Sequence, residues 1–225
     1  MSKRQQSVDS ESLLLNVAII PPDRVSREAI DLSSKTHALG GIFELDRATR
    51  FPHMTIYMAR FPRSAVNAAQ KELSNLVPSL KEEILEHSGY YVTPIKYYEI
   101  SYRKTPGLEK LQEMIARKLR GLRYAPENPE IENYFGDYTG DTKENVEKWG
   151  YDLFGSLYRP HVTLTRLPSE TRIDSLGQLP RSLDDLSFSL SGIGLFQADD
   201  MGAARELITK WKLGTRRSGV GVGAV

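Results

Sequence analysis

Hydrophobic positions along the chain fall into two rhythms that take turns. Leu13 to Ile20, in "SLLLNVAII", is nearly continuous, as a strand buried on both faces would be, and Pro21-Pro22 stops it because proline cannot donate to a ladder. Asp23 is placed to cap a helix running to about Leu39, which Gly40-Gly41 would end. Residues 42–46, "IFELD", read as a short strand, and 53–61, "HMTIYMARF", as the next. Val66, Ala69, Leu73, Leu76, Val77 and Leu80 then recur at helical spacing and make one apolar face. "YYVTPIKYYEISYRK" is rich in strand formers, with Pro94 as the break between two strands.

The rhythm returns in the second half. Leu108, Leu111, Ile115, Leu119 and Leu122 form another helical stripe, closed by the basic end Arg117, Lys118 and Arg120. Residues 123–142 are polar, with prolines and glycines, and read as a long loop. A helix near Thr142 to Leu157 leads into "PHVTLTRL", "LSFSLSGIGLF" alternates as a strand, and Ala203 to Lys212 reads as a final helix. The mixture predicts an α+β fold in two halves of similar order, with a seam near residues 104–107. Residues 1–11 and 214–225 are expected to be tails, disordered and flexible respectively, which leaves 12–213 as one domain. The last tail contains Gly-x-Gly-x-Gly, but no helix can follow it, so a dinucleotide-binding turn is not expected.

Composition narrows the chemistry. The chain has 225 residues, 40% hydrophobic and 26% charged, as in an ordinary soluble globular protein. A formal net charge of +1 supplies no overall field for nucleic acid, so any nucleotide site must be a local cluster. The absence of cysteine removes disulfides, thiolate metal sites and a cysteine nucleophile, and is compatible with a reducing cytoplasm. The polar N-terminus lacks a hydrophobic signal region, and the Leu13–Ile20 run is far short of the roughly 20 residues needed to cross a bilayer. A cytoplasmic monomer without membrane contact is the expectation.

One short pattern occurs twice. "PHMTI" begins at Pro52 and "PHVTL" at Pro160, half the chain later. Residues two apart on a strand share a face, so His53 projects with Thr55 and His161 with Thr163. Met54, Ile56, Val162 and Leu164 then point the other way, into a core. An imidazole, with a reference pKa near ~6.5, donates or accepts a proton at neutral pH, and threonine is a neutral donor with few rotamers. Two such pairs across a cleft supply a base, an acid and two hydroxyls for oxyanions, the set that phosphodiester cleavage needs without a metal.

These residues resemble the paired His-apolar-Thr/Ser-apolar motifs of the 2H phosphoesterase superfamily, which includes 2′-5′ RNA ligase-like proteins and cyclic nucleotide phosphodiesterases. The resemblance implies two related α+β lobes, each an antiparallel sheet with helices outside, around a central cleft. It also implies hydrolysis or transesterification of a nucleotide or RNA phosphodiester, commonly a 2′,3′-cyclic phosphate, with no cofactor and no catalytic metal. His53 and His161 would be the acid–base pair and Thr55 and Thr163 would bind phosphate oxygens; which histidine is the base stays open. Substrates with 2′-5′ or 3′-5′ linkages, a cyclic oligonucleotide, or a nucleotide- or RNA-binding module without turnover are the alternatives.

Further candidates flank the motifs. Arg159 and Thr165 extend the His161–Thr163 face if the strand is regular, and the guanidinium either holds a phosphate or is solvated at a strand start. Tyr57 is the matching position on the first strand, available to stack on a base or ribose or simply to pack. Arg60 and Arg166 sit at odd offsets from the histidines and should fall on the opposite face, as surface residues. His37 and His87 are assigned structural or solvent roles, and no His-Glu-x-x-His zinc spacing occurs. The tyrosine pairs at 90–91 and 97–98, and the basic stretch from Arg117 to Arg123, are read as strand packing and a solvated helix face rather than nucleic-acid contacts.

Overall fold

The computed structural model describes residues 12–123, 138–171 and 177–213. The fold is α+β, with antiparallel sheets and four helices of ten or more residues among the described residues. The strands are β1 (Ser12–Ile19), β2 (Met54–Pro62), β3 (Ile84–Leu85), β4 (His87–Val92), β5 (Tyr97–Tyr102), β6 (His161–Arg166), β7 (Phe188–Ser189), β8 (Gly192–Ala198) and β9 (Ala204–Lys212). The helices are α1 (Asp23–Ala38), α2 (Val66–Leu76), α3 (Pro106–Leu119) and α4 (Gly140–Trp149). One sheet runs β2-β1-β8-β9, another β4-β5-β6, and β3 pairs with β7. Each of these sheets draws strands from both sides of residues 104–107, so the expected seam does not separate one sheet from another.

The two motif strands, β2 and β6, are edge strands of their sheets and lie against each other. Each would carry unpaired backbone groups on its open side, and each is backed by a helix: α3 packs on β2 and α1 on β6. Each also contains a bulge. Val17 pairs with Tyr57 but Ala18 with Thr55, leaving Ile56 as the extra residue. Tyr98 pairs with Thr165 but Glu99 with Thr163, leaving Leu164 extra. A bulge residue drops out of the ladder, and its carbonyl needs another partner when buried. The Ile56 carbonyl accepts from Gln112 Nε2 of α3 at 3.0 Å, and the Leu164 carbonyl from Ser33 Oγ of α1 at 2.6 Å. Both donors are fully buried.

Several expectations change. Residues 42–46 are not a strand, because their backbone groups bond singly to Arg166, Thr165, Ser33 and Arg50 rather than to a neighbouring strand. Pro22, not Asp23, occupies the N-cap of α1; Asp23 instead pairs with Arg27 and Arg47. Helix α4 is shorter than expected, since Gly150 turns left-handed at φ 73° and only a single 3₁₀ turn, Gly155–Leu157, follows. "LSFSLSGIGLF" divides between β7 and β8, in different sheets. The segment expected as a final helix from Ala203 to Lys212 is instead the strand β9, Ala204–Lys212. Its helix-forming residues are overridden by the open edge of β8, which it pairs along Gly192–Ala198 after a tight turn through Gly202 at φ 80°. Most of the loop 123–142 (residues 124–137) and the two tails lie outside the described residues.

Gln112 ties three groups at once, since it also donates to the Leu153 carbonyl at 2.8 Å and accepts from the Gly155 amide at 2.9 Å. Gln112→Leu should therefore cost about 2–4 kcal/mol in urea unfolding, through buried groups left without partners. A loss below about 0.5 kcal/mol would show that the bulge does not depend on this side chain.

Candidate active site

Histidines 53 and 161 sit at the entrances to β2 and β6, each just after a proline. His53 Nδ1 is 2.8 Å from the Phe51 carbonyl and His161 Nδ1 is 2.6 Å from the Arg159 carbonyl. Only an Nδ1–H can make those bonds, so each ring is oriented by the carbonyl two residues back; the Gly202 carbonyl is a further partner of His53, and His161 Nε2 faces Glu99. Phe51 is fixed in turn by its amide, which donates to the Ala204 carbonyl at 3.0 Å.

Both histidines, with Thr55 and Thr163, line one cavity of about 250 Å³. Its remaining wall includes Phe43 and Leu45 from the segment before β2, Met58, the β4–β5 turn at Thr93–Ile95, Tyr97, Glu99, residues 151–153, Arg159 and the β8–β9 turn at Met201–Ala203. Asp199 shapes the last of these by accepting from the Met201 and Ala203 amides at 3.0 Å. Tyr158 joins the strands by donating its hydroxyl to the Thr55 carbonyl at 3.2 Å.

The two pairs have different surroundings. Thr55 Oγ1 accepts from Asn16 Nδ2 at 2.9 Å, which leaves the hydroxyl proton of Thr55 for another acceptor. His53 is 9% exposed, and burial holds its pKa below the ordinary imidazole value; the Phe51 and Gly202 carbonyls oppose this, while a charge on His161 would lower it further. On the other side Glu99, 2% exposed, stands directly across from Thr163. Its Oε2 is 2.9 Å from Arg159 Nη1 and its Oε1 is 3.5 Å from His161 Nε2. Asp152 also lines the cavity, and burial pushes its carboxyl pKa up against backbone hydrogen bonds and the charges of His161 and Arg159.

Of the residues singled out in sequence, His53, Thr55, His161, Thr163 and Arg159 are brought together. Arg159 precedes the strand rather than lying within it, pairs with Glu99 and lies 5.1 Å from the Tyr91 ring. Tyr57 and Thr165 are not in the wall. Each follows a bulge, which shifts the alternation by one and turns the side chain to the far face. Tyr57 is buried and donates to the Trp149 carbonyl at 2.5 Å; Thr165 is buried and donates to the Phe43 carbonyl at 2.6 Å. The same shift brings Met58 into the wall and puts Arg60 and Arg166 on the motif face, against expectation. Arg60 pairs with Asp200, and Arg166 lies 5.5 Å from the Tyr97 ring. His37 bonds the Gly41 carbonyl at the end of α1, and His87 packs against Tyr90 and Tyr102.

Sequence reasoning missed Asn16, Glu99 and Asp152. A lone carboxylate inside the strand-forming run "YYEISY" was the available signal for Glu99. Among the described residues no group of three or more His, Asp or Glu side chains converges as a metal site. No helix among them is long and apolar enough to cross a membrane.

No family model matches the chain, and neither does any curated protein. Solved structures do. The chain is similar to Escherichia coli LigT in its apo form, with 18% identity, TM-score 0.54 and coverage of 91% of this chain and 99% of that one. LigT complexed with 3′-AMP matches at 16% identity and TM-score 0.52, over 91% and 99% of the two chains. A phosphoesterase structure matches at 18% identity and TM-score 0.53, over 91% and 100%. The fold is thus LigT-like over nearly its whole length.

Burial of neutral His53 links stability to pH. The unfolded state takes up a proton near pH ~6.5, whereas the folded state resists it to lower pH. The stability that His53 contributes is therefore present above about pH 6.5 and is lost as pH falls below it. Urea unfolding should show a smaller loss between pH 7 and pH 5 in His53→Asn than in wild type; equal losses would contradict the neutral, buried imidazole.

Proposed function

We propose that the chain is a metal-independent phosphodiesterase of the 2H type, acting on a nucleotide or RNA phosphodiester, foremost a 2′,3′-cyclic phosphate. The observation that carries this reading is the matched anchoring of the two imidazoles. Both give Nδ1–H to a backbone carbonyl, and both line one cavity together with Thr55 and Thr163. The LigT-like fold supports a phosphodiesterase, and the likeness to a structure complexed with 3′-AMP supports a nucleotide ligand. On this reading residues 12–213 form one two-lobed domain, with a motif strand from each lobe.

The asymmetry around the pair supports a division of roles in hydrolysis. His53, kept neutral by burial, is the base: its Nε2 takes a proton from water as the water oxygen attacks phosphorus. His161, beside the Glu99 carboxylate, is the acid: its Nε2–H protonates the ribose oxygen that leaves. Thr55 and Thr163 donate to the non-bridging oxygens, where charge gathers in the transition state. In the reverse, ligating direction the two histidines exchange roles.

Hydrolysis of the four nucleoside 2′,3′-cyclic monophosphates in EDTA tests this. His53→Ala and His161→Ala should each lower kcat by about 10² to 10⁴, and Thr55→Val or Thr163→Val by about 10², in protein with wild-type circular dichroism. Full activity in either histidine variant would sink the mechanism. A folded wild type that turns over 2′-5′ or 3′-5′ linked oligonucleotides and no cyclic monophosphate would redirect the substrate. Nucleotide binding without turnover of any of these would make the chain a binding module.

A further inference from the structure

Arg159 is the cation of the cavity placed to meet a phosphate, and it already has a partner. Its guanidinium lies 2.9 Å from one oxygen of Glu99, whose other oxygen lies 3.5 Å from His161 Nε2. Glu99 is nearly inaccessible to water, whereas the guanidinium that it holds is partly exposed at the cavity. Asp152 adds a second carboxyl to the wall. Among the described residues lining the cavity, Arg159 is the one permanent cation and Glu99 already holds it; His161 adds a second positive charge when protonated, and burial favours the neutral form of Asp152. Of the cations on adjoining elements, Arg50 and Arg205 share Asp199 and Arg60 pairs with Asp200, while Arg166 and Lys96 donate to the Ile95 and Thr171 carbonyls.

Backbone dipoles do not make up the difference. The lining residues include no first turn of any helix. The amides of Phe43, Leu45, Gly202 and Ala203 already donate within the protein. Sites for phosphomonoester dianions use what is missing here, such as several guanidinium or ammonium groups or a helix start.

We propose that this cavity selects a phosphate ester bearing a single negative charge over a terminal monoester dianion, and that Glu99 sets the discrimination. The inference rests on the phosphodiester reading of the site. A diester or cyclic phosphate carries one charge throughout the physiological range, whereas a monoester gains a second with a pKa near ~6. That second charge must sit beside a carboxylate that already holds Arg159. The selection is built on one side only: Glu99 faces Thr163 across the ladder, while Ala18 holds the corresponding place opposite Thr55. Two consequences follow for the reaction. The monoester product is repelled once its second proton leaves, and strand ends already bearing a phosphate are poor ligands.

Calorimetry at pH 7.5 tests this without turnover, using adenosine 3′-phosphate as the dianion and adenosine 3′-methylphosphonate as a monoanion of the same shape. Wild type should bind the monoanion at least about tenfold more tightly, a typical size for one unfavourable charge contact in a partly buried site. In Glu99→Gln the ratio should fall to about threefold or less, because the dianion binds more tightly. Equal affinities in wild type overturn the proposal even if the variant fails to fold, as does an unchanged ratio in folded Glu99→Gln. Failure of the phosphodiester reading looks different: neither ligand binds at millimolar concentration.

Discussion

The structure depends on how two edge strands are finished. β2 and β6 each carry a bulge one residue past the motif threonine, and each bulge exposes a carbonyl that no strand can satisfy. Gln112 and Ser33, buried side chains on the helices behind, accept that duty. An edge strand left open would invite pairing with another chain. Here the open edges are turned toward each other and locked from behind, so the strands bearing His53 and His161 meet over one cavity. The two halves of the chain solve this in parallel, with different helices and different donors.

Chemistry follows from that support. A strand fixed on its far side keeps imidazole and hydroxyl together with little freedom, and the carbonyls of Phe51 and Arg159 orient the rings. The parallel then breaks where it matters. Asn16 serves Thr55 on one side, and Glu99 serves Arg159 and His161 on the other. A buried environment for one imidazole and an acidic neighbour for the other are the asymmetry on which the proposed division into base and acid rests.

Much of this was legible in the sequence, for identifiable reasons. The helical faces of α2 and α3 and the strand pair around Pro94 are strongly periodic, and the paired Pro-His-x-Thr segments place four site residues by alternation alone. Alternation also misled. It holds only while the ladder is regular, so Tyr57 and Thr165 were put on the motif face, and Arg60 and Arg166 were put off it. A bulge leaves no mark in composition, and the side chains that satisfy its carbonyl, Gln112 and Ser33, lie far away in sequence. β9 failed for a related reason: "ARELITKWK" favours a helix locally, and only the open edge of β8 makes it a strand. Glu99 was visible as a charge within a strand run, but its partners came together only on folding.

The most direct measurement of the account is the pH dependence of kcat/KM for a 2′,3′-cyclic nucleotide in wild type and in the residual activity of the two histidine-to-alanine variants. A neutral base and a protonated acid predict a bell, with the acidic limb absent from the His53 variant and the alkaline limb absent from the His161 variant. A flat profile in wild type, or the same two limbs surviving in both variants, would contradict the claim that these two strands build one acid–base site.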